Sequence, residues 1–194
     1  MIASSTDSQI ILFVGRSGCG KGTQAEFLTK DLNMPVIPTG KLLRERAEKD
    51  DYTGKNLKQG LTQGLLTPTP LVFEIWVEEF DKLKNSSDFA GFIMDGNPRK
   101  LYEAHLLEQL FEWYEWGNVT LVHIDISVEE AMKRMKARGR IGDTMEEMER
   151  REGWYQTDVM PVLEYFASKN QRIDVNGEQA EEEVYEDIKT KLGL

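Results

Sequence analysis

Short apolar runs alternate with longer segments of mixed polarity along the chain. Each run is rich in β-branched or aromatic residues and ends at glycine, proline or a polar residue, which is typical of a buried strand. Strands are therefore predicted over residues 8–14, 34–38, 90–94, 118–126 and 172–175. Helices are predicted over residues 24–33, from 40, over 69–84 and 100–116, after 127, after 144 and from about 178. Strands that alternate with helices predict an α/β fold with a doubly wound, parallel five-stranded sheet.

Local signals mark several helix starts and one insertion. Ser127 and Thr144 each stand three residues before a glutamate, which is the spacing of a capping box. Pro70 fits the first position of a helix. Residues 52–67 are polar and punctuated by glycines, which is typical of a mobile helical insertion. Because no linker, repeat or low-complexity segment divides the chain, we predict a single domain over residues 1–194.

The composition narrows the class of protein. The formal net charge is −10, which disfavours general nucleic-acid binding because such binding needs a basic face. The first residues are polar and the apolar stretches are short, so we expect neither a signal peptide nor a membrane span. With one cysteine, Cys19, and two histidines, the chain carries no transition-metal set. The sequence therefore predicts a cytoplasmic protein without nucleic-acid or membrane partners.

A glycine-rich segment, G-R-S-G-C-G-K-G-T at residues 15–23, follows the first predicted strand and opens a helix. In this context glycines let backbone N–H groups converge on phosphate oxygens, and the helix N-terminus adds the positive end of its dipole. Lys21 supplies a mobile charge for the β and γ phosphates. Cys19 is read as a tolerated small residue, because a loop that binds through its amides needs no thiol. Asp95 follows the third predicted strand, where a carboxylate that organises Mg²⁺ belongs.

Five motifs follow one another along the chain. They are G-R-S-G-C-G-K-G-T-Q (15–24), P-T-G-K-L-L-R (38–44), D-G-N-P-R (95–99), R-M-K-A-R-G-R-I-G-D-T (134–144) and E-R-R-E-x-x-Y-x-x-D-V-M-P-V-L-E-Y (149–165), with a looser match at 175–184. In order and spacing, from Gln9 to the C-terminus, they resemble the adenylate kinase family of nucleoside monophosphate (NMP) kinases. The resemblance implies a P-loop core at 1–38, 68–137 and 144–194, an NMP-binding insertion at about 39–67 and a short lid at about 138–143. This lid lacks the four cysteines that hold zinc in part of the family, so no structural zinc is expected.

The resemblance also implies an activity and roles for individual residues. The reaction would be ATP + AMP = 2 ADP, by in-line transfer of the γ-phosphoryl group within a cluster of arginines, in a monomer. The catalytic residues would be Lys21, Arg99, Arg138, Arg140 and Arg151. The ATP site would contain Gly18, Cys19, Gly20, Lys21, Gly22, Thr23, Arg134, Arg138 and Gln179. The AMP site would contain Thr39, Gly40, Arg44, Leu65, Leu66, Gly96, Arg99, Glu103, Arg140 and Arg151. Mg²⁺ would accompany ATP near Asp95 and Thr23, through water or phosphate.

Four positions depart from the family pattern. Lys41 stands where an aspartate is common, Asn97 where phenylalanine is frequent, and Gly142 where the first of two aspartates occurs. Glu103 stands where the family usually has a glutamine that recognises adenine. An ionised carboxylate only accepts hydrogen bonds, so Glu103 suits a base that presents two donors, such as guanine. Thr39 matches adenine-specific members, so AMP is favoured over GMP, UMP or CMP. The alternative from another class is a non-catalytic adenine-nucleotide-binding regulator, for which Lys41 and Gly142 are the best evidence.

Overall fold

The computed structural model describes residues 8–86, 90–139 and 144–194. In this part of the chain five parallel strands form one sheet, in the order β2-β3-β1-β4-β5. The strands are Gln9–Val14 (β1), Val36–Ile37 (β2), Gly91–Asp95 (β3), Val119–Asp125 (β4) and Arg172–Asn176 (β5). Each lies where an apolar run predicted it, and helices connect consecutive strands. The predicted doubly wound α/β fold is confirmed.

The described helices are α1 (Lys21–Leu32), α2 (Thr39–Ala47), α3 (Tyr52–Thr62), α4 (Thr69–Lys84), α5 (Leu101–Trp113), α6 (Val128–Arg138), α7 (Met145–Trp154), α8 (Met160–Ser168) and α9 (Glu181–Leu192). Helix α4 has the predicted bounds. The prediction for α5 is three residues too long at the C-terminal end, because Glu115 adopts a left-handed φ of 56° and turns the chain. Helix α9 starts later than predicted, since the Asn176 side chain accepts the Glu178 N–H at 3.0 Å in a turn.

A π-helical segment, Tyr155–Val159, joins α7 to α8. The sequence predicts a helix after Thr144 but not this interruption. Pro161 lacks the N–H that would continue the regular hydrogen-bond ladder, which accounts for the irregular turn before it. After this segment, Val162, Leu163 and Phe166 of α8 are buried in the core.

The two predicted helix caps differ in detail. Thr144 and Glu147 form the full capping box, in which the Thr144 N–H donates to Glu147 at 2.9 Å. Ser127 accepts the N–H of Glu130 at 3.2 Å, as predicted. Its own N–H, however, donates to Glu178 at 2.7 Å, so a residue distant in sequence completes this cap.

Apolar residues pack against both faces of the sheet. Alternate residues of β1 face opposite sides: Leu12 belongs to the cluster that contains Trp76, while Phe13 belongs to the cluster that contains Leu28. Burial on both faces explains why the strands read as continuous apolar runs instead of alternating patterns. Among the described residues, no helix has both the length and the apolar character needed to cross a bilayer.

His123 is a buried histidine of β4, 5% exposed. Its Nδ1 lies 2.7 Å from Asp174 Oδ1 on β5, and its Nε2 lies 2.9 Å from the Tyr155 hydroxyl. Burial lowers the pKa of His123 despite the opposing effect of Asp174, so the ring is neutral at pH 7. Burial also raises the pKa of Tyr155 to about 12, so the phenol keeps its proton. The Nδ1 proton is therefore donated to Asp174, and Nε2 accepts from Tyr155.

Acidification should destabilise the fold through His123. Because the pKa of His123 lies below its ordinary value of 6.5 only in the folded chain, the unfolded chain binds more protons below that pH. The free energy of unfolding should therefore fall as the pH drops from about 6.5 towards the folded-state pKa. Urea unfolding at several pH values measures this slope, and His123→Gln should reduce it. His105→Gln, at an exposed histidine, should keep the wild-type slope; equal slopes in all three proteins would contradict the assignment.

Candidate active site

A cavity of about 910 Å³ opens beside the glycine-rich loop and the carboxyl end of β3. Ligands of parallel α/β sheets bind at this edge, because strand ends and helix N-termini converge there. The predicted site residues in its wall are Gly18, Cys19, Gly20, Lys21, Gly22, Thr23, Gly40, Arg44, Leu65, Leu66, Asp95, Arg99, Glu103, Arg134, Arg138, Arg151 and Gln179. Arg140 lies outside the described residues, together with most of the predicted lid.

Glycines of the loop permit backbone conformations and close contacts that other residues would not. A Cβ on Gly15 would lie 2.4 Å from the carbonyl oxygen of Ile124, so only glycine lets the loop pass this close to β4. Gly20 has a left-handed φ of 98° and precedes α1 without a side-chain cap. The first-turn N–H groups of α1 are therefore not capped by that residue, as a phosphate-binding helix start requires.

Lys21 is held by the loop itself. Its Nζ donates to the carbonyl oxygens of Gly15 at 2.9 Å and Arg16 at 2.8 Å, and contacts Cys19 Sγ at 3.3 Å. These partners are neutral, so an anion in the cavity would attract the ammonium group more strongly than they do. Cys19 is 2% exposed and belongs to the apolar core.

Three arginines from separate elements converge on the cavity. Arg44 lies on α2, Arg99 follows β3 and Arg151 lies on α7. Burial lowers the pKa of Arg99, and the positive charges of Arg151 and Arg44 lower it further, against the opposing effects of Asp95 and Glu103. Arg99 is thus close enough to Arg44 and to Arg151 to be repelled by both. A bound anion would relieve this repulsion.

Gly96 brings Arg99 next to Lys21. A Cβ on Gly96 would lie 3.2 Å from Arg99 Nη2 and 3.7 Å from Lys21 Cε. The Gly96 carbonyl also accepts from Arg99 Nε at 2.7 Å, which fixes the direction of the guanidinium. Gly96 therefore shapes the site through its lack of a side chain, since both cationic side chains occupy the space around the position of its missing Cβ.

Trp154 links α7 to the predicted insertion, a contact that the sequence analysis missed. Its indole N–H donates to the carbonyl of Gly64 at 3.2 Å, and its ring centre lies 5.4 Å from the Arg99 guanidinium. Arg150 donates to the neighbouring carbonyl of Gln63. The tryptophan follows the arginine motif directly, but nothing in the local pattern says that it would reach a backbone carbonyl 90 residues away.

The residues predicted to contact the base of the acceptor nucleotide differ in whether they line the cavity or lie behind its wall. Gly40, Leu65 and Leu66 line the cavity, whereas Thr39 is 1% exposed and its hydroxyl accepts from the Trp76 indole N–H at 2.9 Å. Thr39 therefore supports the wall from behind, because its side chain is held in the core. The sequence pattern gives no sign of this tryptophan contact, which spans 37 residues.

Glu103 is 2% exposed, and each of its carboxylate oxygens accepts one hydrogen bond from the protein. Its Oε2 accepts the Arg99 N–H at 2.9 Å, and its Oε1 lies 2.9 Å from Thr69 Oγ1. Thr69 Oγ1 also lies 2.6 Å from the Tyr102 hydroxyl. A threonine hydroxyl has a single proton, so Thr69 donates to Glu103 and accepts from Tyr102. Each oxygen keeps a further lone pair, and Glu103 therefore offers acceptors to a ligand in the cavity.

On the opposite side of the cavity, Arg134 and Gln179 are held in place by their neighbours. Arg134 Nε donates to Glu130 at 2.7 Å on the same helix, and its side chain is 30% exposed. Gln179 donates from its amide nitrogen to Asp187 at 2.8 Å and to the Asn176 carbonyl at 3.0 Å. Both side chains line the cavity near the start of α9, where a flat ligand group would meet a planar guanidinium.

Oxygen ligands for a hard cation lie beside the loop. Asp95 ends β3, and its Oδ2 is 3.8 Å from the position that a Cβ would take on Gly22, next to Thr23. A carboxylate and a hydroxyl at the phosphate-binding loop fit Mg²⁺, which prefers oxygen ligands and completes its shell with water and phosphate. Among the described residues, no group of three or more His, Cys, Asp or Glu side chains is arranged to hold a metal ion by itself.

The fold and the cavity together define a P-loop phosphotransferase, in which the phosphate-binding loop faces arginines from other elements. The family model described as adenylate kinase matches residues 13–171. The chain belongs to the adenylate kinase family and is a nucleoside monophosphate kinase, as the sequence motifs predicted.

Individual relatives agree over most of their length. The chain is 34% identical to adenylate kinase 1 of Nostoc sp. (strain PCC 7120) over 183 residues, which cover 94% of this chain and 98% of that protein. It is 35% identical to the adenylate kinase of Mycobacterium leprae over 167 residues, or 86% and 91% of the two chains. It is 30% identical to that of Azobacteroides pseudotrichonymphae over 182 residues, or 92% and 94%.

Inorganic phosphate should stabilise the folded protein, because the cavity gathers several cations. At about tenfold excess over its Kd, a ligand that binds only the folded state adds about 1.4 kcal/mol, which corresponds to a rise in Tm of about 3–5 °C. Differential scanning fluorimetry with phosphate, compared with chloride at equal ionic strength, measures the shift. Arg99→Gln should remove most of it. An equal shift in this variant would mean that phosphate acts elsewhere.

Proposed function

We propose that the protein transfers the γ-phosphoryl group of Mg-ATP to AMP and forms two molecules of ADP. The observation that carries this proposal is the convergence of Arg44, Arg99 and Arg151 on a cavity that also contains Lys21. A phosphate-binding loop alone suits one nucleotide. Cationic groups from other elements in the same cavity suit a second phosphate that meets the first end to end, and phosphoryl transfer depends mainly on such positioning and charge neutralisation.

On the donor side, the backbone N–H groups of residues 18–22 would bind the β-phosphate of ATP. Lys21 would exchange its carbonyl partners for β- and γ-phosphate oxygens. Arg134 would stack on the adenine ring, and the Gln179 backbone would contact its edge. Mg²⁺ bound near Asp95 and Thr23 would neutralise charge on the β and γ oxygens.

On the acceptor side, Arg44 and Arg99 would hold the phosphate of AMP. Arg151 and Arg138 would neutralise charge on the transferred group, with Arg140 as a further contributor. The attacking phosphate oxygen is already ionised at pH 7, so no general base is needed. The protein's contribution is to align the two phosphates and to exclude water, because water would otherwise accept the phosphoryl group.

Closure around the substrates belongs to this proposal. Residues 39–67 would move as the AMP-binding insertion and residues 138–143 as a short lid. The contact between Trp154 and Gly64 supports the first movement, because it joins the insertion to the helix that carries Arg151. Substrate binding at the arginines would thereby strengthen the contact between the insertion and α7.

Lys21→Ala and Arg99→Ala should each lower kcat for ADP formation by about 10³-fold, since each removes a charge that stabilises the moving phosphoryl group. A coupled assay with ATP and AMP measures turnover, and circular dichroism confirms that the variants fold. Lys30→Ala, at an exposed lysine near the end of the same helix as Lys21, is the matched control and should keep wild-type turnover. Near-normal turnover of either active-site variant would rule out these roles. Tight nucleotide binding without ADP formation by the wild type would favour a regulator.

The carboxylate of Glu103 favours GMP as an alternative acceptor. Its oxygens offer hydrogen-bond acceptors, which suit the two donors on the guanine edge. Adenine offers one donor and one acceptor there, so AMP would use only one of the Glu103 oxygens. Thr39 matches the motif of adenine-specific family members, and the relatives named above are all adenylate kinases. We therefore place AMP first and GMP second, with UMP and CMP behind them.

Glu103→Gln should raise the ratio of kcat/KM for AMP to that for GMP by about tenfold, because an amide N–H donates to the adenine ring nitrogen and repels a guanine donor. The ratio of the two kcat/KM values is informative, because any loss of the Glu103 contacts with Arg99 and Thr69 would lower kcat/KM for both AMP and GMP and so cancel in the ratio. Assays with AMP, GMP, CMP and UMP at fixed ATP measure it, with the exposed Glu112→Gln of the same helix as control. Faster turnover of GMP than AMP by the wild type would overturn the choice of AMP.

A further inference from the structure

Arg16 lies inside the phosphate-binding loop, but its side chain is directed away from the substrate cavity. The guanidinium group reaches the end of β4 and the helix α7, and the side chain is only 15% exposed. The loop motif places no chemical demand on this position, because phosphate is bound by the backbone there. A long cationic side chain in this place therefore needs a separate explanation.

Four groups surround the Arg16 guanidinium. Nε and Nη2 donate to the two carboxylate oxygens of Glu152 at 3.0 and 3.3 Å, which makes the ion pair bidentate. Nη1 donates to the Ile126 carbonyl at 3.0 Å and to Asp125 Oδ1 at 3.2 Å. The guanidinium carbon also lies 4.4 Å from the ring centre of Tyr155. Few orientations satisfy all these contacts together, so the side chain is fixed.

The backbone of the same residue holds the proposed catalytic lysine. Lys21 Nζ donates to the Arg16 carbonyl at 2.8 Å and to the Gly15 carbonyl at 2.9 Å. The Arg16 carbonyl also accepts the Cys19 N–H at 3.2 Å, which closes the loop turn. Contacts that fix Arg16 therefore also fix the Gly15 and Arg16 carbonyl groups that hold the Lys21 ammonium group.

The partner of Arg16 is adjacent in sequence to the proposed catalytic arginine of α7. Glu152 follows Arg151, whose side chain lines the cavity. Tyr155 begins the π-helical segment after α7 and is itself held by His123. The bidentate pair thus joins two elements that are 136 residues apart in the chain and that carry Lys21 and Arg151.

We propose that Arg16 is a positioning residue which, through its bidentate pair with Glu152, sets the distance between the Lys21 ammonium and the Arg151 guanidinium. The inference rests on the proposed function, because it assumes that both cations act on the transferred phosphoryl group. A displacement of about 1 Å between groups that act together costs about 100-fold in rate. Loss of the pair should therefore affect turnover far more than substrate binding.

Steady-state kinetics of Arg16→Gln and Glu152→Gln test the proposal. Each should lower kcat about 10- to 100-fold, while KM for ATP and AMP stays within about threefold because the substrate contacts remain. The double variant should be no slower than the slower single variant, since the two residues act as one unit. In Arg16→Ala, low millimolar guanidinium chloride should restore part of kcat; in Lys21→Ala it should not.

Lys169→Gln is the control for a purely structural role. It removes a partly exposed ion pair with Glu108, outside the cavity, so it should lower Tm without changing kcat. If Arg16→Gln does not fold, Arg16→Lys replaces it: lysine keeps the charge but cannot form the bidentate pair, so kcat should still fall.

The outcomes separate the two proposals. Wild-type kcat in the Arg16 variants, additive losses in the double variant, or a rise in KM alone would overturn the positioning role while the kinase proposal stands. An inactive wild-type protein would overturn both.

Discussion

The repulsion among the cations of the cavity is the constraint on which the rest of the site depends. Arg99 lies within electrostatic range of both Arg44 and Arg151, although the three residues come from separate elements. Lys21 and Arg99 are held by neutral carbonyl oxygens, whereas Arg16, directed away from the cavity, is held by two carboxylates. A cation with neutral partners can still bind phosphate, because its charge is not neutralised. A cation that is paired with carboxylates has a structural role instead.

The parallel sheet explains how these groups meet. All its strands end at one edge, so the loop after β1, Asp95 at the end of β3 and the turn after β5 approach the same volume. Glycines permit the closest approaches, as Gly15 does against β4 and Gly96 does between Lys21 and Arg99. The core on both faces fixes these strand ends, and the site needs that rigidity because charge neutralisation requires fixed distances.

The predicted insertion, which is proposed to close over AMP, contacts helix α7. Trp154 uses its N–H for the Gly64 carbonyl and its ring for Arg99, so it contacts both the predicted insertion and the arginine proposed to bind the acceptor phosphate. Arg16 fixes the opposite side of the same helix through Glu152. Helix α7 therefore lies between two anchors, one on the insertion and one on the phosphate-binding loop, with Arg151 between them.

The sequence by itself determined the strands, the phosphate-binding loop and half of the residues of the cavity wall, because burial of apolar runs and the path of a glycine-rich loop depend on near neighbours. The position of α4 followed from Thr69 and Pro70 in the same way. Only the tertiary structure decided that Thr39 lies behind the wall, that Glu103 binds Thr69 and Arg99, and that Arg16 pairs with Glu152. These contacts join residues far apart in the chain or set side-chain directions, and local patterns carry no information about which distant side chains packing will bring together.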